Sequence, residues 1–274
     1  MTPYSYARRR VVVTGAGGSG MGAAVVEEVL SLGAEVHVLD LREPTTDVAG
    51  FQSVDLKDPD AIAAAVEAIG QPIDALFNCV GVPGPPMLPA LDTMLVNFAG
   101  VRLLTELVVD RMAPGGAVAS ISSAAAAGWQ DHLDTLLPLV ETDGFDAART
   151  WCEENPDAIG MAYTPSKIAL AIWTAHACNE LGTRGIRINC TLPGPTETPM
   201  LPDFKRKLRE GFWDEYPIPL GRFLTPADQA RALVFLNSDA ASGITGTSLL
   251  VDGGTASAAA TGQVALPAIE MRAG

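Results

Sequence analysis

Short apolar, β-branched runs alternate with amphipathic stretches along almost the whole chain. The first run, Val11-Val12-Val13, ends at Thr14 in a cluster of glycines, the pattern of a buried parallel strand. After Gly22 the apolar positions Ala23, Val25, Val26, Val29 and Leu30 follow helical spacing and stop at Leu32-Gly33, which predicts a helix with a glycine terminator. Glu35 to Asp40 reads as a second strand and Phe51 to Val54 as a third. Asp58 to Ile69 predicts an alanine-rich helix, with Asp58 as its cap and Pro59 in its first turn. Asp74 to Cys79 is strand four, Asp92 to Met112 a long helix and Gly116 to Ile121 strand five. Met161 to Leu181 is a helix, Ile186 to Thr191 strand six, Pro226 to Leu236 a helix and Ser248 to Val251 the last strand. Strands alternating with helices, and no internal linker, imply an α/β fold: a doubly wound, seven-stranded parallel sheet with helices on both faces, as one domain over residues 1–274.

Three stretches interrupt the alternation. Between about 127 and 160, Leu133, Leu136, Leu137 and Val140 share one helical face, Asp143-Gly144 is a turn, and Phe145 to Glu154 predicts a second short helix bearing Trp151. The chain leaves for this insertion just after one polar cluster and returns just before another. The pair of helices is therefore expected to wall a ligand pocket and to alter how subunits pack, with a packed surface excursion that touches no ligand as the alternative. Between about 196 and 220, Phe204, Leu208, Phe212 and Trp213 offer apolar area for a lid. The tail, 255–274, is small and polar with a short apolar patch; it reads either as a partner-docking arm or as a loose end.

Composition narrows the possibilities. With 274 residues, 48% hydrophobic and 18% charged, one α/β domain with a full core fits and a separate substrate domain does not. A net charge of −14 argues against nucleic acid and anionic membrane as partners. No apolar stretch is long enough to span a bilayer, and the run after Arg8-Arg9-Arg10 is too short for a signal peptide. Cys79, Cys152, Cys178 and Cys190 have neither metal nor disulfide spacing; reduced thiols and a cytoplasmic location are the default. His37, His132 and His176 are too scattered for a metal site.

Chemistry enters at two places. Strand, glycine turn and helix at Thr14 to Gly22 is the context in which free amides at a helix N-terminus receive a phosphate. Asp40 ends the second strand eighteen residues after Gly22, where a carboxylate grips ribose hydroxyls and repels a 2′-phosphate. NAD(H) is favoured over NADP(H), although Arg42 stands close by. Farther on, Tyr163 and Lys167 lie four apart and so share a helix face. A tyrosine titrates near ~10; a nearby ammonium is expected to lower that value and make the phenol a usable acid. Ser122-Ser123 closes strand five at the carboxyl edge of the sheet, where a hydroxyl can stabilise a developing oxyanion or merely end the strand in a turn. Asn97, inside a predicted helix, is either a positioned polar group or an ordinary solvated one.

Thr14-Gly15 with Gly20-x-Gly22, Asn78-Cys79-Val80-Gly81, Ile121-Ser122-Ser123, Tyr163-x-x-x-Lys167 and Pro193-Gly194 occur in the order found in short-chain dehydrogenases/reductases, which the chain resembles from about Arg10 to Gly254. The segment Asn189 to Pro199 and the long Ser123–Tyr163 separation resemble the 3α-hydroxysteroid dehydrogenase/carbonyl reductase and coniferyl-alcohol dehydrogenase-like subgroup. Two departures stand out: four residues rather than three separate Gly15 from Gly20, and Cys79-Val80 replaces Asn-Ala. The resemblance implies a Rossmann fold and NAD(H)-dependent transfer of hydride from the B face of the nicotinamide. Tyr163 would be the acid–base residue and Ser123 the stabiliser of the substrate oxygen. Lys167 would bind the nicotinamide ribose, and Asn97 would kink a helix and hold a proton-relaying water. It places Gly15, Ser19, Gly20, Met21, Gly22, Asp40, Asp55, Leu56, Asn78, Val80, Gly81, Pro193, Gly194, Thr196 and Thr198, with Tyr163 and Lys167, at the cofactor. The expected substrate is a small hydrophobic cyclic or aromatic alcohol or its ketone, with a primary aryl alcohol as the alternative, and the expected assembly a homodimer or homotetramer. A nucleotide-binding sensor or scaffold is the reading from another class; the set Asn97, Ser123, Tyr163 and Lys167 speaks against it.

Overall fold

The computed structural model describes residues 2–268. Seven parallel strands, β1 (Arg10–Thr14), β2 (Glu35–Asp40), β3 (Gly50–Ser53), β4 (Ile73–Asn78), β5 (Met112–Ile121), β6 (Arg187–Pro193) and β7 (Ser248–Val251), form one sheet in the order β3-β2-β1-β4-β5-β6-β7. The strand order reverses between β1 and β4, whose ends are in register at Thr14 and Asn78. A crevice opens there beyond the carboxyl ends of the strands, the place where doubly wound sheets bind ligands.

Both faces of the sheet are covered. On one, α1 (Met21–Ser31) and α11 (Pro226–Asn237) bury Val25, Val29 and Leu233 against Val11, Val13 and Phe77. On the other lie α2 (Pro59–Ile69), α4 (Gly100–Val109) and α8 (Tyr163–Thr183). Capping follows the sequence: Asp58 accepts from the amides of Asp60 and Ala61, and Thr225 and Asp228 form a reciprocal box at the start of α11.

The expected long helix from Asp92 to Met112 is broken and shorter. It consists of α3 (Ala90–Met94), a π-helical turn Leu95–Ala99, and α4, ending at Val109. Met112, expected as its last residue, instead opens β5. The break has a cause: Asn97 turns its amide out of the helix onto Val82, and an extra residue per turn accommodates it.

The insertion folds as α5 (Leu133–Val140), α6 (Gly144–Glu154) and α7 (Pro156–Ile159). Leu136, Leu139, Val140, Phe145, Ala148 and Cys152 are buried in the same core as α4 and α8. Leu139 lies outside the face read from the sequence. Fully buried Arg102 of α4 pins the α5–α6 turn, donating to the carbonyls of Val140 and Gly144 and to Thr142 Oγ1. Covered by the sheet on one side and α5 on the other, α8 is buried at every residue from Ser166 to Thr174, so it lacks the single apolar stripe of a surface helix. The lid contains α9 (Leu201–Lys207) and α10 (Phe212–Glu215), and the tail begins with α12 (Thr255–Ala260). All four cysteines are free, and no helix among the described residues is long and apolar enough to cross a membrane.

Candidate active site

The glycine turn is built by close packing. Thr14 Oγ1 accepts from the amides of Cys79 (3.1 Å) and Val80 (3.2 Å), tying the ends of β1 and β4. Gly15 has φ +70°, and a Cβ there would lie 2.5 Å from Val80 N; one on Gly22 would lie 2.3 Å from Gly15 O. Only glycine permits this approach of α1 to the strand. Gly20, by contrast, has nothing nearer than 4.0 Å to its open side. As N-cap it offers no side chain to α1, whose first turn, beginning at Met21, holds no acidic residue. The free amides there suit an anion. Asp40 accepts from Gly17 N and Arg42 N, each at 2.9 Å, at the rim of the turn. The Arg42 guanidinium lies beside Gly18.

The other expected cofactor residues divide. Met21, Val80, Gly81, Pro193, Gly194, Thr196 and Thr198 line one cavity of about 480 Å³ together with Ser123, Tyr163 and Lys167. Ser19 and Thr198 line a neighbouring cleft beneath Pro199 and Lys205. Asp55 sits after β3, its carboxylate accepting from Lys57 N, and buried Leu56 presses its carbonyl against Gly100. Asn78 turns its amide inward to Thr105 Oγ1 and Ser120 Oγ, leaving Oδ1 unpartnered. The Thr196 hydroxyl donates to Gly194 O and accepts from Gln229.

Tyr163 is the first residue of α8, entered through buried Ala162 at φ +62°, a conformation costing roughly 1–3 kcal/mol outside glycine. Ser123, two residues past the end of β5, accepts from Ala125 N at 3.1 Å and lies beside the Tyr163 phenol. Lys167 Nζ donates to Ile121 O at 2.9 Å, while Ser122 Oγ donates to Lys167 O at 2.7 Å. The strand end and the helix are thus laced together in both directions. Asn97 is fully buried. Its Oδ1 accepts from Val82 N, and its Nδ2 donates to Val82 O and Ser166 Oγ. A Cβ on Gly81 would lie 3.3 Å from Lys167 Nζ and 3.6 Å from Asn97 Oδ1, so both groups meet around that glycine.

Two expectations are corrected. Burial pushes the Tyr163 phenol above its ordinary value, and the Ser123 hydroxyl pulls it back; Lys167 is not among the described groups that shift it. Burial lowers Lys167 itself to about 8. The insertion, moreover, does not wall the cavity: no residue from 127 to 160 lines it, because α5 and α6 spend their apolar faces on α8 and α4.

The walls come from elsewhere. Phe204 of α9 meets the Tyr163 ring edge-on, centroids 4.9 Å apart, and Leu208, Phe212 and Trp213 complete the lid side as expected. Met161, Met200, Lys207 and Tyr216 line the cavity too, as do Leu266 and Pro267 of the tail. The tail thus reaches the cavity with part of its apolar patch, while most of residues 261–268 stays exposed. Its one sequence signal was the apolar patch in a polar segment; Lys207 was masked by the basic run Lys205-Arg206-Lys207.

Residues 9–132 match the family model described as short chain dehydrogenase, and residues 152–256 the one described as enoyl-(acyl carrier protein) reductase. The chain is 33% identical over 255 residues to the coniferyl-alcohol dehydrogenase of Pseudomonas sp. strain HR199, covering 91% of this chain and 97% of that one. It is 29% identical over 248 residues to the 3-alpha-hydroxysteroid dehydrogenase/carbonyl reductase of Comamonas testosteroni, covering 89% and 95%. Among solved structures, the 3-alpha-hydroxysteroid dehydrogenase of Pseudomonas sp. B-0831, in complex with NADH, superposes with a TM-score of 0.76 at 29% identity, covering 93% of this chain and 100% of that one.

Proposed function

This chain belongs to the short-chain dehydrogenase/reductase family, oxidoreductases that act on alcohols with a nicotinamide cofactor, and on that premise we propose that it interconverts a hydrophobic cyclic or aromatic alcohol and its ketone or aldehyde with NAD(H). The observation that carries this reading is the meeting of Ser123, Tyr163 and Lys167 in one mainly apolar cavity beside the glycine turn.

The residues present fit the dinucleotide. The uncapped start of α1 at Gly20 and Met21 would hold the pyrophosphate, Asp40 the adenosine ribose, and Lys167 the nicotinamide ribose. A carboxylate at Asp40 supports NAD over NADP, and Arg42 beside Gly18 is the group that would moderate the preference. When bound, the nicotinamide accepts or supplies the hydride. The chain's own part is proton transfer and position. Tyr163 gives its proton to the carbonyl oxygen in reduction and takes one from the hydroxyl in oxidation. Ser123, beside the phenol, donates to the same oxygen as charge develops there. Asn97 holds the Val82 backbone beside Lys167 and so fixes the floor on which the lysine rests.

Tyr163→Phe is expected to lose ~10²–10⁴ in turnover, the range of a general acid, while NADH still binds, as read by quenching of protein fluorescence. Turnover near wild type in that variant would remove Tyr163 from the chemistry.

A further inference from the structure

The cavity wall carries a cation and, among the described residues, no acidic side chain. Among its described lining residues the ionisable side chains of full charge are Lys167 and Lys207, and none is acidic. Lys167 stands at the strand ends. Lys207, on α9, is half-buried and donates to the carbonyls of Pro83 and Gly84. Those are neutral dipoles: they aim the ammonium without neutralising it. Asp203, one turn back on the same helix, is engaged by Arg206. Partial burial lowers Lys207 below its usual value and the Asp203 carboxylate offsets this only in part, and an ammonium held partly out of water is costly.

Phe204 ties this charge to the chemistry: its ring centroid is 4.9 Å from that of Tyr163 and 5.8 Å from Lys207 Nζ. The phenol and the ammonium therefore stand on the same cavity lining, each in contact with one ring. A second donor lies on the same lid: the indole N–H of Trp213 is buried with no acceptor among the described residues. A mainly apolar cavity lined by an acid–base phenol, by the Lys207 ammonium on the lid and by an unused N–H suits a ring that carries both a hydroxyl and an anionic group.

We propose that the substrate is a ring alcohol carrying a carboxylate on the side of the ring remote from the reacting hydroxyl, and that Lys207 binds that carboxylate. This rests on the alcohol dehydrogenase reading above. An ion pair formed inside the closed lid replaces two carbonyl contacts with a compensating charge, and it makes lid closure dependent on the substrate's own acid group.

Matched pairs test it: cis-4-hydroxycyclohexanecarboxylate against its carboxamide, and 4-(hydroxymethyl)benzoate against its carboxamide, each with saturating NAD⁺. The wild-type enzyme is expected to favour the acid of at least one pair by roughly 10–100-fold in kcat/KM, the worth of a hydrogen bond to a charged group. Lys207→Gln should bring that acid-to-amide ratio to about one through KM, and Lys207→Arg should keep the preference. A wild-type ratio near one, or a ratio unmoved in Lys207→Gln, overturns the proposal but leaves the dehydrogenase reading standing. Silence toward both pairs and toward cyclohexanol and coniferyl alcohol as well, with NADH still binding, overturns both.

Discussion

Lys167 is held in place at a cost in desolvation. Its spacing from Tyr163 was legible in the sequence, because four residues on a helix can only share a face. Its burial was not, since the groups that exclude water come from β5, β6 and the lid. The ammonium is lowered from 10.5 to about 8, which corresponds to about 3 kcal/mol against the charged form. Because the folded value lies below the unfolded one, this penalty is full below about pH 8 and vanishes as pH passes the unfolded value. The stability of wild type relative to Lys167→Met should therefore rise between pH 8 and 10.5, read by urea denaturation at each pH; a flat difference contradicts the burial. The same reasoning governs Tyr163. The sequence suggested a phenol lowered by its lysine, whereas burial raises it. Carbonyl reduction, which needs the protonated phenol, should hold steady through neutral pH. Alcohol oxidation, which needs the phenolate, should climb with pH across the alkaline range; initial rates in both directions against pH would check the pair of slopes.

Among the elements, existence and type were readable and destination was not. Leu133, Leu136 and Val140 announced a helix, and α5 is that helix. It packs its apolar face on α8 instead of facing the cavity, and its far end is pinned by Arg102, a charged residue in a segment read only as a long helix. Its three acceptors lie 38 to 42 residues away in the chain, beyond the reach of any local pattern. Arg102→Met should strand the carbonyls of Val140 and Gly144 and cost about 2–5 kcal/mol. Limited proteolysis should then cut first at 141–144, before global unfolding; an unchanged midpoint and cleavage pattern would show that the insertion is held by its apolar face alone. The π-helical turn at Asn97 was hidden from the local pattern, although the family resemblance implied a kink at that residue. A side chain that leaves its helix to hold Val82 adds a residue to the turn, and nothing in the apolar periodicity around it registers that choice.

At the scale of the whole molecule, alternation of strand and helix carried most of the architecture, because a parallel sheet covered on both faces leaves few arrangements of seven such strands. The path of the tail escaped it: Leu266 and Pro267 reach the cavity from the far end of the chain, a contact that only the closed fold defines. Truncation after Gln263 should raise the KM for a ring substrate by a few-fold, about 1 kcal/mol of lost apolar contact, and leave NADH affinity in place; unchanged kinetics would show the tail to be a bystander. The reacting groups stand on strand ends and one deeply packed helix, whereas the surfaces that judge the substrate hang from the lid and the tail. Selection can therefore rewrite the guest list without disturbing the stove: new ring shapes are admitted by exchanging two peripheral strips of chain, and a transplant of both from a relative should carry its preferences across whole.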